Sequence, residues 1–322
     1  MRYIILILLV MSLSIAGCGN DSDIAKNDHC SYQVVDDFDD VIKFDSKPKR
    51  VYATTLSIEE VLIGLLEPER FAAISEDALN EKYSLIVQEA SLVKNKVPAK
   101  INVESILALN PDLVIVQANT NKAQIDALKD LGLKVFVTKV PTNLNMVEAR
   151  IKHIAEAIGE PERGVKIVQE MNKKISVVKN SINKIPYEQR KIAMAYSLLG
   201  AFGSKQGLYH DICEQAGLRN GAAMAGLNRG EHLSKEKIVS VNPDILIFPH
   251  YSSTQKGDVD KLRQDVLNDP SLQTVKAVKE KKFIIINDRY RYSASQYIAD
   301  AIVTISEQAY PEFYKNSYIC NK

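Results

Sequence analysis

Tryptophan is missing from the 322 residues, and histidine and cysteine are scarce, at five and four. Without indole, a flat ligand has only tyrosine and phenylalanine to stack on. The sequence contains no C-x-x-C or H-x-x-x-H spacing, which argues against a structural metal site. It also has no G-x-S-x-G, no phosphate loop and no G-x-G-x-x-G, so the common hydrolase, nucleotide-triphosphate and dinucleotide signatures are all absent. The glycine-rich GAFGSKQG, Gly200 to Gly207, lacks phosphate-loop spacing, and Ser204 with Lys205 is a poor nucleophile pair. An excess of charge of one sign is lacking too: 41 Lys and Arg stand against 40 Asp and Glu. Nothing in that balance points to nucleic acid or to an electrostatic membrane patch.

Long apolar runs are equally rare. The longest opens the chain, in MRYIILILLVMSLSIAGC, where Arg2 precedes an apolar stretch from Tyr3 to Val10 that extends to Ile15. It is shorter than the roughly 20 apolar residues needed to span a bilayer, and it reads as a secretory signal over residues 1–17. Ile15-Ala16-Gly17-Cys18 resembles the bacterial lipobox, so Cys18 is the expected lipidated N-terminus of the mature protein. The polar GNDSDIAKND that follows has too little apolar area to fold, and reads as a tether within residues 18–45. A location at the cell membrane, lipid-anchored and facing the periplasm or the cell exterior, follows from this reading. Cys30, Cys213 and Cys320 then remain. Cys30 with Cys320 would tie the ends together; Cys213 with Cys320 competes, and three reduced thiols stay open.

The rest of the chain is organised by a repeat. INVESILALNPDLVIV, from Ile101 to Val116, returns as LSKEKIVSVNPDILIF, from Leu233 to Phe248, at a constant offset of 132 residues. The alignment matches Glu104 to Glu236, Ile106 to Ile238 and Asn110-Pro111-Asp112 to Asn242-Pro243-Asp244. Each copy reads as a polar cap (Asn102, Ser234), a short helix, a stop at Asn-Pro and a strand buried on both faces. Two copies of one helix-to-strand unit predict two related α/β lobes.

Strand and helix patterns fill in those lobes. YQVVDDFDDVIKF, from Tyr32, predicts an edge hairpin. Strands are expected at Arg50–Thr54, Phe71–Ser75, Asp112–Gln117 and Lys134–Thr138, with helices at Ser57–Leu66 and Lys122–Leu131 between them. The second lobe offers Lys191–Ser197, Asp244–Pro249 and Lys282–Asp288 as strands. Such alternation predicts parallel sheets covered on both faces, a doubly wound architecture in each lobe. Between them, Asn145 is expected to cap a helix with Val147, Ile151, Ile154, Ala155 and Ile158 on one face. A longer helix from Pro161 to Lys184 follows, with Val165, Val168, Met171, Ile175, Val178 and Ile182 spaced by threes and fours. Its 24 residues span about 36 Å at 1.5 Å per residue, enough to join two lobes. One rigid connector predicts small lobe movements on ligand binding. The expected division is 46–142 for the first lobe, 143–185 for the connecting helices and 186–322 for the second lobe.

These residues resemble the substrate-binding proteins of ATP-driven importers for iron complexes and cobalamin, the class with two α/β lobes on a single helical backbone. The resemblance covers nearly the whole mature chain. It rests on the lipobox, PKRVYATTLSIEEVLIGLL, the two N-P-D units, SKQGLYHDICEQAG and EQAYPEFY, in that order. It implies a receptor, not an enzyme, with no resident cofactor or metal, working as a monomer that delivers its ligand to a permease dimer with its ATPase. It also implies that Glu104 and Glu236 dock on the two permease subunits; a capping-box role for both, which stabilises only the helix, stays open. The ligand it implies is a ferric siderophore or haem, or in the alternative a corrinoid. A surface sensor or adhesin, or an exported enzyme on the same scaffold, is the remaining contrast.

In open parallel sheets ligands bind beyond the carboxyl ends of the strands. That rule selects Thr55, Tyr83 and Asn119 in the first lobe, and Ser197, Arg229, His232, His250 and Tyr251 in the second. It selects above all DRYRYS, where Arg289, Tyr290, Arg291 and Tyr292 follow one another. Arginine offers forked donors to carboxylate or catecholate oxygens, and tyrosine offers stacking area or a phenolate for iron. His232 and His250, with Tyr83 and Tyr251, are the candidate axial ligands if the ligand is haem.

Overall fold

A computed structural model describes residues 31–82, 84–197, 199–250, 259–291 and 293–314, with the side chains of residues 288 and 291 left aside. The chain opens with an antiparallel hairpin of β1 (Tyr32–Val35) and β2 (Val41–Phe44). The first lobe then runs β3 (Val51–Ala53), α1 (Leu56–Ile63), β4 (Ile74–Ser75), α2 (Val87–Leu92), β5 (Lys96–Val97), α3 (Val103–Ala108), β6 (Leu113–Gln117), α4 (Lys122–Asp130) and β7 (Val135–Thr138). Strands β3, β6 and β7 form a parallel sheet in that order. The β4 and β5 strands pair in parallel beside it, and a bridge between Val51 and Phe71 links the two groups. The Phe71–Ser75 segment expected as one strand is therefore a single bridging residue followed by a two-residue strand.

Two helices leave this lobe, α5 (Leu144–Ala157) and α6 (Pro161–Ile182). Asn143, not Asn145, caps α5: its side chain accepts from Met146 N–H at 2.9 Å, and Asn145 falls inside the first turn. The apolar face of α5 behaves as its spacing predicts, with Val147, Ile151, Ile154, Ala155 and Ile158 all fully buried. On α6 the stripe begins at Val168, because Val165 is 44% exposed and Gly164 is the residue turned inward. An added Cβ on Gly164 would sit 2.5 Å from Ala155 Cβ, so glycine is what lets the two helices cross this closely. The α6 helix ends at Ile182, two residues before the expected Lys184.

The second lobe runs β8 (Ile192–Ser197), β9 (Gly200–Phe202), α7 (Leu208–Gln215), β10 (Arg219–Asn220), α8 (Gly221–Met224), α9 (Lys235–Val241), β11 (Ile245–Pro249), α10 (Val259–Asn268), α11 (Lys276–Lys279), β12 (Phe283–Ile286), α12 (Asp288–Arg291), α13 (Ile298–Ala309) and α14 (Pro311–Tyr314). Its sheet has the order β10-β8-β11-β12, all parallel, with β9 folding back antiparallel on β8. Neither β9 nor β10 stood out in the sequence; each is too short to carry an alternating pattern.

One apolar core runs through both lobes, from Val51 and Ile115 through Val168, Met171 and Ile175 to Ala195, Ile247 and Ile302. The α6 helix crosses between them: Arg163 pairs with Glu67 of the first lobe, and Lys174 pairs with Asp300 of the second. Each lobe also has its own smaller core on the far side of its sheet.

The repeat is visible atom by atom. Asn102 accepts from Ser105 N–H at 2.8 Å, and Ser234 accepts from Lys237 N–H at 3.4 Å. Both Asn110 and Asn242 take the left-handed conformation at φ 48°, a region that asparagine tolerates better than most side chains. Asp112 then accepts from the backbone N–H groups of Lys49 and Arg50 at 2.6 and 2.9 Å. Asp244 accepts from Ile192 N–H at 2.8 Å. In each lobe the aspartate of N-P-D thus ties its strand to the entry of the neighbouring first strand.

Candidate functional site

The carboxyl ends of β3 and β6 lie together, since Thr54 N–H donates to Ile115 O at 3.1 Å. Thr55 is the N-cap residue of α1 and is half-buried, its hydroxyl 3.4 Å from that of Ser57. Asn119 is exposed in the turn beyond β6. In the second lobe the carboxyl ends of β11 and β12 adjoin, with His250 N–H donating to Ile286 O at 2.8 Å and its ring region exposed. Arg289 and Tyr290 follow on α12, both half-buried, with the Arg289 guanidinium 5.1 Å from the Tyr290 ring centroid. Arg289 Nε is buried without a hydrogen-bond partner. Tyr290 packs against the shared core.

Other selected residues sit apart from this group. The Ser197 hydroxyl is spent on the turn between β8 and β9, donating to Gly200 O at 3.2 Å and accepting from Leu199 N–H at 3.1 Å. His232 is exposed beside that turn, its Cβ 3.6 Å from where a Cβ on Gly200 would lie. Arg229 is exposed after α8. Tyr83, Tyr251 and Tyr292 lie outside the described residues, as do Cys18, Cys30, Cys320 and the leader, and the Arg291 side chain is among those left aside. Cys213 is a fully buried free thiol in α7, its pKa pushed up to about 12 by burial. Among the described residues no three His, Cys, Asp or Glu are grouped to hold a metal ion, and no helix is long and apolar enough to cross a membrane.

What joins the two lobes at this place is a polar network that sequence reading did not single out. Arg150, on α5 and 4% exposed, donates from Nη1 to Ser57 Oγ and to Ala294 O, both at 3.3 Å. Ser57 also accepts from Gln117 Nε2 at 2.9 Å. Glu60, 4% exposed, accepts from Ser295 Oγ at 2.7 Å, and its backbone carbonyl accepts from Gln296 Nε2 at 2.5 Å. The neighbouring Glu59 turns the other way, accepting from the backbone N–H and hydroxyl of Ser75 at 2.7 and 2.6 Å. Burial raises both carboxyls to a pKa of about 7; for Glu59 the Ser75 hydrogen bonds, and for Glu60 the Ser295 hydrogen bond, oppose the rise. Burial lowers Arg150 to about 10, opposed by the charge of Glu60. A signal was present in the sequence: Arg150 stands three residues after Val147 and four before Ile154, a lone charge at the spacing of the α5 apolar stripe.

The two repeat glutamates are on the surface, each in the first turn of its helix, Glu104 on α3 and Glu236 on α9. Hydrogen bonds from its own backbone N–H and from Ser234 hold the Glu236 carboxyl below its usual range, which is capping chemistry. Glu104 borders an open groove of about 790 Å³ between α3 and α4, with Ile101, Val103 and Leu131 on its walls. A smaller cavity of about 290 Å³, lined by Lys191, Asp244 and Lys282, lies at the amino ends of the second sheet, opposite the cleft.

Two parallel-sheet lobes thus share a helical backbone, and a polar seam joins them near their strand ends. Residues 26–290 match the family model described as periplasmic binding protein. The chain belongs to the periplasmic binding protein family. Such proteins are components of transport rather than enzymes. The chain is 22% identical over 322 residues to the uncharacterized ABC transporter substrate-binding lipoprotein YvrC of Bacillus subtilis, covering 96% of each chain. It is 22% identical to the iron-uptake system-binding protein of the same organism, covering 85% of this chain and 87% of that one. Among solved structures, the apo periplasmic heme-binding protein RhuT from Roseiflexus shares its fold, with a TM-score of 0.68 at 21% identity over 82% of this chain and 99% of that one.

Proposed function

We propose that this periplasmic binding protein is lipid-anchored through Cys18 and captures an iron complex, a ferric siderophore or haem, between its lobes for delivery to an ABC permease. The observation that carries the reading is Arg289. Half-buried at the carboxyl end of β12, its guanidinium lies over the Tyr290 ring, a cation beside an aromatic face of the kind that an anionic and partly aromatic ligand requires. The relative named for iron uptake supports the same ligand class. Glu104 and Glu236, exposed at corresponding places of the two repeat units, are the proposed contacts with the two permease subunits.

The test is a visible-spectrum titration of the purified protein with haemin, ferric citrate, a ferric catecholate siderophore and cyanocobalamin. Co-elution of an iron-complex band with the protein is expected, and a corrinoid spectrum alone would overturn the ligand class. In Arg289→Ala affinity for the bound probe falls by about tenfold or more, the scale of a lost charge-assisted contact. In Glu104→Arg and Glu236→Arg the titration is unchanged while iron uptake by cells is lost.

A further inference from the structure

We propose that Ser57, Glu60, Arg150 and Ser295 are positioning residues, a polar clamp that fixes the second-lobe segment after α12 against the first lobe and so holds Arg289 and Tyr290, the proposed ligand contacts, in place. The proposal rests on the cleft reading above for its functional meaning, but not for its geometry. Four hydrogen bonds join parts of the chain far apart in sequence: Ser295 Oγ to Glu60 Oε2, Gln296 Nε2 to Glu60 O, Arg150 Nη1 to Ala294 O and Arg150 Nη1 to Ser57 Oγ. Ser293 joins the set through a 3.0 Å contact between its hydroxyl and that of Ser295. Only one residue separates Ser293 from the last residue of α12, so a fixed Ser293–Gln296 segment leaves α12 little freedom. At the other end of the clamp, Ser57 is tied to the carboxyl end of β6 through Gln117 and lies two residues from Thr55. The clamp therefore links the carboxyl end of β6 to the segment that follows α12.

Apolar residues in the same places would glue the lobes together as firmly, because a buried polar network is seldom more stabilising than a packed apolar one. What the network adds is direction, since each hydrogen bond fixes a register, and a response to protons. The groups facing Glu60 are Glu59 on its own helix, Arg150 from α5, the Leu85 backbone N–H, and Tyr297 beyond Ser295. The Glu60 carboxyl titrates at about 7 in the closed clamp, against 4.5 when exposed to water. A group with a raised folded pKa favours the closed form when protonated. That preference is complete below 4.5 and is lost as pH rises through about 7.

Hydrogen–deuterium exchange of the full-length protein without ligand tests the clamp, read on peptides covering residues 287–297 and corrected for intrinsic exchange. In Ser295→Ala the opening of this segment rises about fivefold at pH 7, the scale of one hydrogen bond, while α6 peptides are unchanged and Ser295→Thr restores protection. In the wild type, opening rises with pH by up to tenfold per unit between 4.5 and about 7 and levels off above it. In Glu60→Gln it is flat with pH, whereas in Glu59→Gln, whose partner is Ser75, the pH dependence persists. Unaltered exchange in Ser295→Ala, or a pH dependence that survives Glu60→Gln, overturns the proposal. Because no ligand is added, failure of every probe to bind would overturn the proposed function and leave the clamp standing.

Discussion

Asp112 and Asp244 show how a short motif acts through single atoms. Proline stops the helix, the asparagine before it takes a left-handed turn, and the aspartate after it accepts backbone N–H groups at the entry of the first strand of its lobe. None of this chemistry touches a ligand; it makes the lobe. Glu59 and Glu60 are the opposite case, carboxyls in the interior of the molecule. Both have folded pKa values raised from 4.5 to about 7, so the stability they contribute is fully present below 4.5 and is lost as pH rises through 7. The melting temperature is therefore expected to fall between pH 5 and pH 8. The free-energy loss is on the order of 2–3 kcal/mol per carboxyl. Thermal unfolding by circular dichroism at those two pH values checks it: Glu60→Gln should reduce the fall, and a melting temperature that rises toward pH 8 would contradict the assignment.

At the scale of elements, the connector was legible from its spacing, since Val168, Met171, Ile175, Val178 and Ile182 are all buried where the period of threes and fours puts them. Val165 broke the pattern because α5 crosses so closely that only Gly164 fits beneath it. Gly164→Ala gains helix propensity of about 1 kcal/mol. It also places a methyl carbon 2.5 Å from Ala155 Cβ, a contact that neither helix backbone can relieve without moving. A net loss of roughly 1–3 kcal/mol in urea unfolding is expected; a stabilised variant would show that the helices part at no cost. The α12 helix lies at the other limit of legibility. The DRYRYS segment, where no helix was expected, forms a single helical turn at Asp288–Arg291, with Asn287 accepting from Arg289 N–H at 3.1 Å.

Across the whole molecule, the apolar core is continuous from the first lobe through α6 into the second, and ion pairs from α6 reach both. Hinging the lobes would expose part of that core, so ligand binding should leave the shape nearly unchanged. Small-angle scattering with and without a bound probe is expected to give radii of gyration within a few per cent; a large compaction would place a hinge where the structure has a shared core.

The sequence by itself determined the two-lobe plan, because an offset of 132 residues and the periods of strand and helix are properties of order along the chain. It also located the strand ends where Thr55, His250, Arg289 and Tyr290 stand. It did not separate Ser197, whose hydroxyl closes a turn, from residues with groups left to offer, since that depends on where a neighbouring carbonyl lies. Nor did it reveal that Glu60 and Arg150 meet Ser295 and Ala294. Burial of a charge is decided by what packs over it, and here the covering residues come from 144 and 235 positions away. Only the tertiary structure brings them together.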